Sequence, residues 1–301
     1  MRQSKILLII FFMALSVLLS SPASAALIWF VTQGTGGDYQ QDAGHLFTWD
    51  PASSSVTDRG FLNTGAWTDI AMTPDGVLYG IRWTNGVYGG GTDLYVITPG
   101  SDQSPASYQQ VNGSYLPDNL NSLGWADGGL WAAESETTSG QNDLWFFDLA
   151  TGSWQNKNNE FITGGDVELG SDGTLYAFSD GTAPSGLYAV NRTTGVPSYI
   201  GDVDIPGSSN DLFYGMAFDS DTGAMYGFNA GAGRGYGQGS DIYMIDPSTG
   251  TPTLAFDLAS SVGVLDNVWG ATSTPVPIPG AVWLLGSGLL GVVGLRRRLV
   301  S

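Results

Sequence analysis

One short turn recurs along this chain at nearly constant spacing, and no other feature limits the fold as strongly. It reads Pro74-Asp75-Gly76, then Ala126-Asp127-Gly128, Ser171-Asp172-Gly173 and Asp221-Thr222-Gly223. Glycine at such a position, between two apolar runs, is a hairpin signal because it accepts the positive φ that a tight turn demands. Each turn is followed by a large apolar residue and an aromatic: Leu78-Tyr79, Leu130-Trp131, Leu175-Tyr176 and Met225-Tyr226. Those aromatics lie 52, 45 and 50 residues apart.

The unit extends on both sides of its turn. In residues 66–98 a short apolar strand precedes the turn, and a glycine-rich segment and a further strand follow it. That further strand recurs as Leu94-Tyr95, Leu144-Trp145, Leu187-Tyr188 and Ile242-Tyr243, with an upstream copy at Leu46-Phe47. Behind it comes a second turn with Asp or Asn and Thr-Gly: Asp148 with Thr151-Gly152, Asn191 with Thr194-Gly195, Asp246 with Thr249-Gly250. Asp50-Pro51 is a shorter version. Asp and Asn side chains bond nearby backbone N–H groups in such turns. A fourth strand then runs out.

Four strands in every ~40–50 residues is the period of a β-propeller blade. The central region resembles generic β-propeller repeat proteins in this respect. An irregular β-sandwich is the competing architecture. Complete four-strand copies are expected at about 67–115, 120–160, 164–203 and 212–258. The N-terminal piece offers only strands two, three and four, at 27–32, 45–50 and 56–62. The C-terminal piece, 266–272, resembles only a first strand. Together they predict an all-β, five-bladed β-propeller whose fifth blade is closed by strands from both termini.

Composition agrees with this reading and excludes several chemistries. Glycine is abundant, with 44 residues, and charged residues are 13 % of the 301-residue chain. There is no cysteine, which removes disulfides, thiolate metal sites and a cysteine-linked lipid. The formal charge is −18; five of the ten basic residues lie in the two ends, leaving −23 between them. Such a surface repels nucleic acid.

The ends carry their own signals. Residues 1–25 read as a secretory signal peptide. Arg2 and Lys5 precede an apolar run at 6–19, and Ala23-Ser24-Ala25 supplies the small residues of a cleavage site. The competing reading is a retained anchor helix. At the other end a sorting tail is expected over 274–301. It holds Val276, Pro277, Ile278, Pro279 and Gly280, an apolar helix at 281–295, and Arg296, Arg297 and Arg298. Fifteen helical residues cover about 22 Å, short of a ~30 Å hydrocarbon core unless 276–280 join them. Arginines directly after such a run hold that end in the cytoplasm. A propeller domain at 26–273 is thereby placed outside the inner membrane.

This tail resembles the PEP-CTERM protein-sorting signal, in its VPLPA-CTERM variant, with Ile278 and Gly280 departing from the VPLPA spelling. The resemblance covers about 25 residues and concerns only the tail. It implies a Gram-negative bacterium and recognition by an exosortase-type membrane protease. It also implies transient anchoring in the inner membrane through the C-terminal helix, cleavage near the motif, and delivery to the cell surface or extracellular matrix. A single-span anchor is the alternative.

Candidate binding residues fall into two groups. Asp69, Asn121, Asp166 and Asn267 stand near the starts of first strands, which line the channel of a propeller. They could hold a sugar hydroxyl or a cation such as calcium, or cap strand ends; no other cofactor is implied. Tyr39, Tyr88 and Tyr236 lie on glycine-rich segments joining second and third strands, where they could stack on sugar rings. The resulting expectation is an exported, non-catalytic propeller scaffold that binds extracellular polysaccharide or another surface protein. A carboxylate-based glycoside hydrolase or lyase is the competing class, with Asp69, Asp166 and Glu168 as its acids. The single histidine, His45, lacks a nucleophile-elbow partner. Asp219 and Asp221 resemble only the start of a calcium loop.

Overall fold

A computed structural model of the chain describes residues 26–32, 44–62, 66–83, 91–101, 104–111, 119–134, 142–161, 164–179, 185–206, 212–229, 240–262 and 267–274. The signal segment, the sorting motif with its helix and arginines, and Tyr39, Tyr88 and Tyr236 lie outside them.

Twenty strands among the described residues form five four-stranded antiparallel sheets. Blade I contains β4 (Trp67–Met72), β5 (Leu78–Trp83), β6 (Thr92–Thr98) and β7 (Ser107–Gln110). Blade II contains β8 (Leu120–Ala126), β9 (Gly129–Glu134), β10 (Asn142–Asp148) and β11 (Ser153–Phe161). Blade III contains β12 (Gly164–Leu169), β13 (Leu175–Ser179), β14 (Gly186–Val190) and β15 (Pro197–Gly201). Blade IV contains β16 (Phe213–Phe218), β17 (Met225–Asn229), β18 (Asp241–Ile245) and β19 (Pro252–Asp257), followed by the short helix α1 (Leu258–Val262).

Blade V joins the two ends of the domain. The last strand, β20 (Val268–Ser273), pairs antiparallel with β1 (Ile28–Thr32), for example Phe30 with Ala271. Then follow β2 (Gly44–Asp50) and β3 (Ser55–Leu62). The five-bladed propeller with mixed-terminus closure is therefore as the repeat pattern predicts.

The sequence period has a packing cause. Each of five apolar clusters fills the space between two adjacent blades. One joins Val31 and Leu46 of blade V to Trp67, Ile70 and Leu78 of blade I. Others join blade I to II through Ile81 and Leu123, II to III through Leu144 and Val167, and III to IV through Leu187 and Met216. The last returns from IV to V through Phe228 and Phe30. The aromatic after each first turn enters one cluster apiece: Tyr79, Trp131, Tyr176 and Tyr226, with Trp29 in the fifth. A ring at that position buries ~150–250 Å², so its recurrence is the signature of blade stacking.

Local turn chemistry agrees. Gly76, Gly128, Gly173 and Gly223 all take φ between 77° and 82°. In the second type of turn, Asp50, Asp148, Asn191 and Asp246 accept N–H bonds from residues two or three further on. There Gly152, Gly195 and Gly250 take positive φ, whereas the first copy has Ser54 at φ 55°.

Two outcomes follow from closure and turn geometry. Deleting residues 264–272 from the full-length protein removes most of β20 and exposes the inner edge of β1, and open strand edges aggregate. The expected product is insoluble or rapidly cleaved by trace protease; an unchanged melting temperature would sink the closure account. Ser54→Gly relieves a left-handed residue, a conformation costing ~1–2 kcal/mol, and adds back ~0.4–1 kcal/mol of unfolded-chain freedom. Urea denaturation should show a gain of about 0.5–1 kcal/mol.

Candidate functional site

The innermost strands β4, β8, β12, β16 and β20 each pair on one side only. Their other edges face the axis with backbone groups left over. A buried N–H without a partner costs ~1–3 kcal/mol. Side chains from neighbouring inner strands supply the acceptors here, and two sequence-predicted residues carry most of the duty.

Asp69 is the third residue of β4 and has no solvent exposure. Its Oδ1 accepts the N–H of Ile70 at 2.7 Å, and its Oδ2 accepts that of Leu123 on β8 at 2.6 Å. Asp166 holds the same place in β12 and is also buried. Its Oδ1 accepts the Val167 N–H and its Oδ2 the Met216 N–H of β16, both at 2.6 Å. The two carboxyl groups hydrogen-bond each other.

β20 completes the hub. Thr272 Oγ1 accepts the Met72 N–H of β4 at 3.1 Å and donates to Glu168 Oε1 at 3.2 Å. Ser273 Oγ accepts the Phe218 N–H at 2.6 Å. Glu168 Oε2 is buried without a hydrogen-bond partner among the described residues. The strands approach so closely that a Cβ on Gly124 would lie 1.9 Å from the Val167 carbonyl oxygen, and one on Gly270 would lie 2.1 Å from Asp69 Oδ1.

Burial sets the protonation of this hub. It pushes Asp166 up to about 8 and Asp69 well above the usual carboxylate range, where the charge of Asp166 adds to the effect. Glu168 is raised well above its ordinary value by burial, then by Asp166. Each of the two aspartates receives two backbone N–H bonds, one from its own strand and one from a neighbouring inner strand. The two groups are coupled, so their protons come off in steps that belong to the pair.

Chemically, this arrangement ties strands together. Retaining glycosidases keep ~5–5.5 Å between their two carboxyl groups, with the sugar between. Asp69 and Asp166 touch and are out of reach of solvent. Asn121 is the second residue of β8, and Asn267 directly precedes β20; both are buried. His45 lies on β2 with Nδ1 3.4 Å from an Asp58 oxygen and its ring 5.7 Å from that of Phe47. Asp219 spends its oxygens on the Asp221 and Thr222 N–H groups and the Thr222 hydroxyl. No three His, Cys, Asp or Glu side chains among the described residues are grouped to hold a metal ion.

One feature escaped the sequence reading. A cavity of about 500 Å³ opens between blades II and III, lined by Asp127, Trp131, Phe146, Lys157, Arg192 and Thr193. Its residues come from two turns and three strands spread over 67 positions, and no local pattern links them.

No protein-family model matches the chain, and no curated protein matches it in sequence. Solved structures of similar fold include TolB from Acinetobacter baumannii and a nidogen/laminin complex. TolB is 13 % identical over 77 % of this chain, with a TM-score of 0.45. The nidogen/laminin structure is 10 % identical over 82 % of this chain and 98 % of its own, with a TM-score of 0.48. The chain spans 53 % of the TolB structure's length. These likenesses concern fold alone.

The raised carboxylates predict how stability depends on pH. An unfolded aspartate titrates near 3.9. Below that value both states are protonated and the fold keeps the full benefit; from there the benefit drains away as pH rises through the folded value of Asp166, about 8, where that group must ionise in its buried site. The melting temperature should therefore fall between pH 6 and pH 9, an interval where a chain with one histidine and no cysteine has few other titrating groups. Asp69→Asn, which removes one of the two titrating carboxyl groups, should flatten that fall. A melting temperature that is level or rising over this interval in the unaltered protein would overturn the shared-proton hub.

Proposed function

We propose that this protein is an exported five-bladed propeller that acts as a non-catalytic binding scaffold at the cell surface or in the extracellular matrix, with a glycan as its partner. The observation that carries this reading is where the strands end. Second strands finish and third strands begin at Thr32 and Gly44, Trp83 and Thr92, Glu134 and Asn142, Ser179 and Gly186, and Asn229 and Asp241. In antiparallel sheets arranged around one axis these ends share one face of the disc. The connecting segments, three of them bearing Tyr39, Tyr88 and Tyr236, thus leave from a common rim. Loops on a rigid scaffold are the usual carriers of recognition.

The state of the hub carboxylates supports binding over catalysis, since Asp69 and Asp166 are occupied in holding inner strands together. Export rests on residues 1–25 and on the resemblance of the tail to an exosortase-processed sorting signal. Among the described residues no helix is long and apolar enough to cross a membrane.

Full-length protein on a glycan array, with and without calcium, tests the reading. Capture of a glycan without turnover is expected, with at least a tenfold loss for Tyr88→Ala at unchanged melting temperature. Turnover of the captured glycan, lost in Asp166→Asn with binding retained, would transfer the protein to the hydrolases and lyases. Replacing Arg296, Arg297 and Arg298 with Ala should block processing of the tail, and undisturbed surface delivery would argue against the sorting signal.

A further inference from the structure

The cavity between blades II and III lies on the other face of the disc, where first strands turn into second strands and third into fourth. Asp127 belongs to the β8–β9 turn, and Arg192 and Thr193 to the β14–β15 turn. We propose that this cavity is a binding site for a carboxylate-bearing sugar residue. The proposal rests on the glycan reading above but uses different residues on the opposite face.

The distribution of charge is the first argument. Residues 26–275 contain only Arg59, Arg82, Lys157, Arg192 and Arg234 as cations against 28 acids. Two of those five line one cavity. A chain this acidic gains nothing in solubility from placing scarce cations together, whereas an anion site requires it.

Geometry is the second. The Lys157 ammonium lies 5.1 Å from the centre of the Phe146 ring and 5.9 Å from that of Trp131, and the two rings are 5.3 Å apart. The aromatic pair thus holds the cation at the cavity wall. Arg192 donates to Asp127 Oδ1 through Nη1, one contact for a guanidinium with five N–H donors. Asp127 is fixed by a two-residue turn in which both Asp127 (φ 56°) and Gly128 (φ 80°) are left-handed, the pattern of a type I′ hairpin. The turn holds Asp127, and Asp127 holds Arg192.

Chemistry narrows the ligand. Two cations and one carboxylate leave a single net positive charge, which suits a monoanionic carboxylate better than a phosphate dianion. The Trp131 and Phe146 rings give the cavity an apolar wall. Rings on one side and charged, hydrogen-bonding groups at the rim match a pyranose, which has C–H faces and a polar edge. The volume is in the range that accepts a small organic ligand.

Isothermal titration of the full-length protein at low salt, with trigalacturonate, the uncharged galactose trimer and acetate as probes, decides the matter. The hexuronate trimer should bind at least tenfold more tightly than the neutral trimer, with affinity falling as salt is added. Lys157→Gln and Arg192→Gln should each weaken it at least tenfold at unchanged melting temperature. Asp127→Asn leaves an amide oxygen to position Arg192 while removing the opposing negative charge, so it should bind the trimer several-fold more tightly, a gain that misfolding cannot mimic. Equal affinity of the Lys157→Gln/Arg192→Gln double variant and the unaltered protein for trigalacturonate would overturn the site. Acetate binding as tightly as the trimer would overturn its sugar specificity. Binding of neutral glycans alone defeats this proposal and leaves the scaffold reading standing; binding of no glycan defeats both.

Discussion

An inner strand of a propeller blade has neighbours on one side only, and everything else in this molecule depends on how the unpaired side is satisfied. Hydrophobic packing between blades supplies most of the driving force for stacking. It cannot serve a backbone N–H that points at the axis. Asp69, Asp166, Thr272 and Ser273 provide the acceptors, each reaching from one inner strand to another. The five blades are thereby joined by hydrogen bonds at the hub and by apolar clusters farther out. Closing the ring with β20 is part of the same device, because Thr272 and Ser273 tie β20 to blades I and IV and Thr272 reaches Glu168 in blade III.

The choice of carboxylates for this task has a cost and a use. Burying a charged group is unfavourable, and the protein avoids it by retaining protons at the hub. A carboxyl group offers two oxygens, so one side chain can satisfy its own strand and the next at once, as Asp69 does with Ile70 and Leu123. A hydroxyl satisfies fewer donors over a shorter reach. A centre so occupied leaves little chemistry available along the axis. The proposed recognition sites accordingly lie on the faces of the disc, with the second-to-third-strand connections leaving on one side and the Lys157–Arg192 cavity opening on the other.

Much of this was legible in the amino-acid order. The repeated turn, the aromatic after it and the incomplete copies at both ends predict twenty strands in five blades, and the strands fall within a few residues of those expectations. Asp69 and Asp166 stand out as equivalent positions two copies apart, which suggests shared structural duty. Their mutual contact was not legible, nor was the part played by Thr272 and Ser273. Nothing local distinguishes these hydroxyls from the many other Ser and Thr residues of the chain.

What the sequence alone determined is periodic: strand number, turn chemistry, the ring-bearing positions and the need for a shared last blade. Those properties depend on neighbours a few residues apart, so a linear pattern records them. The tertiary structure decided which side chains meet. Asp69 receives the N–H of a residue 54 positions away, and Thr272 that of one 200 positions away. Arg192 meets Asp127 across 65. Such pairings are set by the angle between blades and the closure of the ring, and they exist only once all five blades are in place.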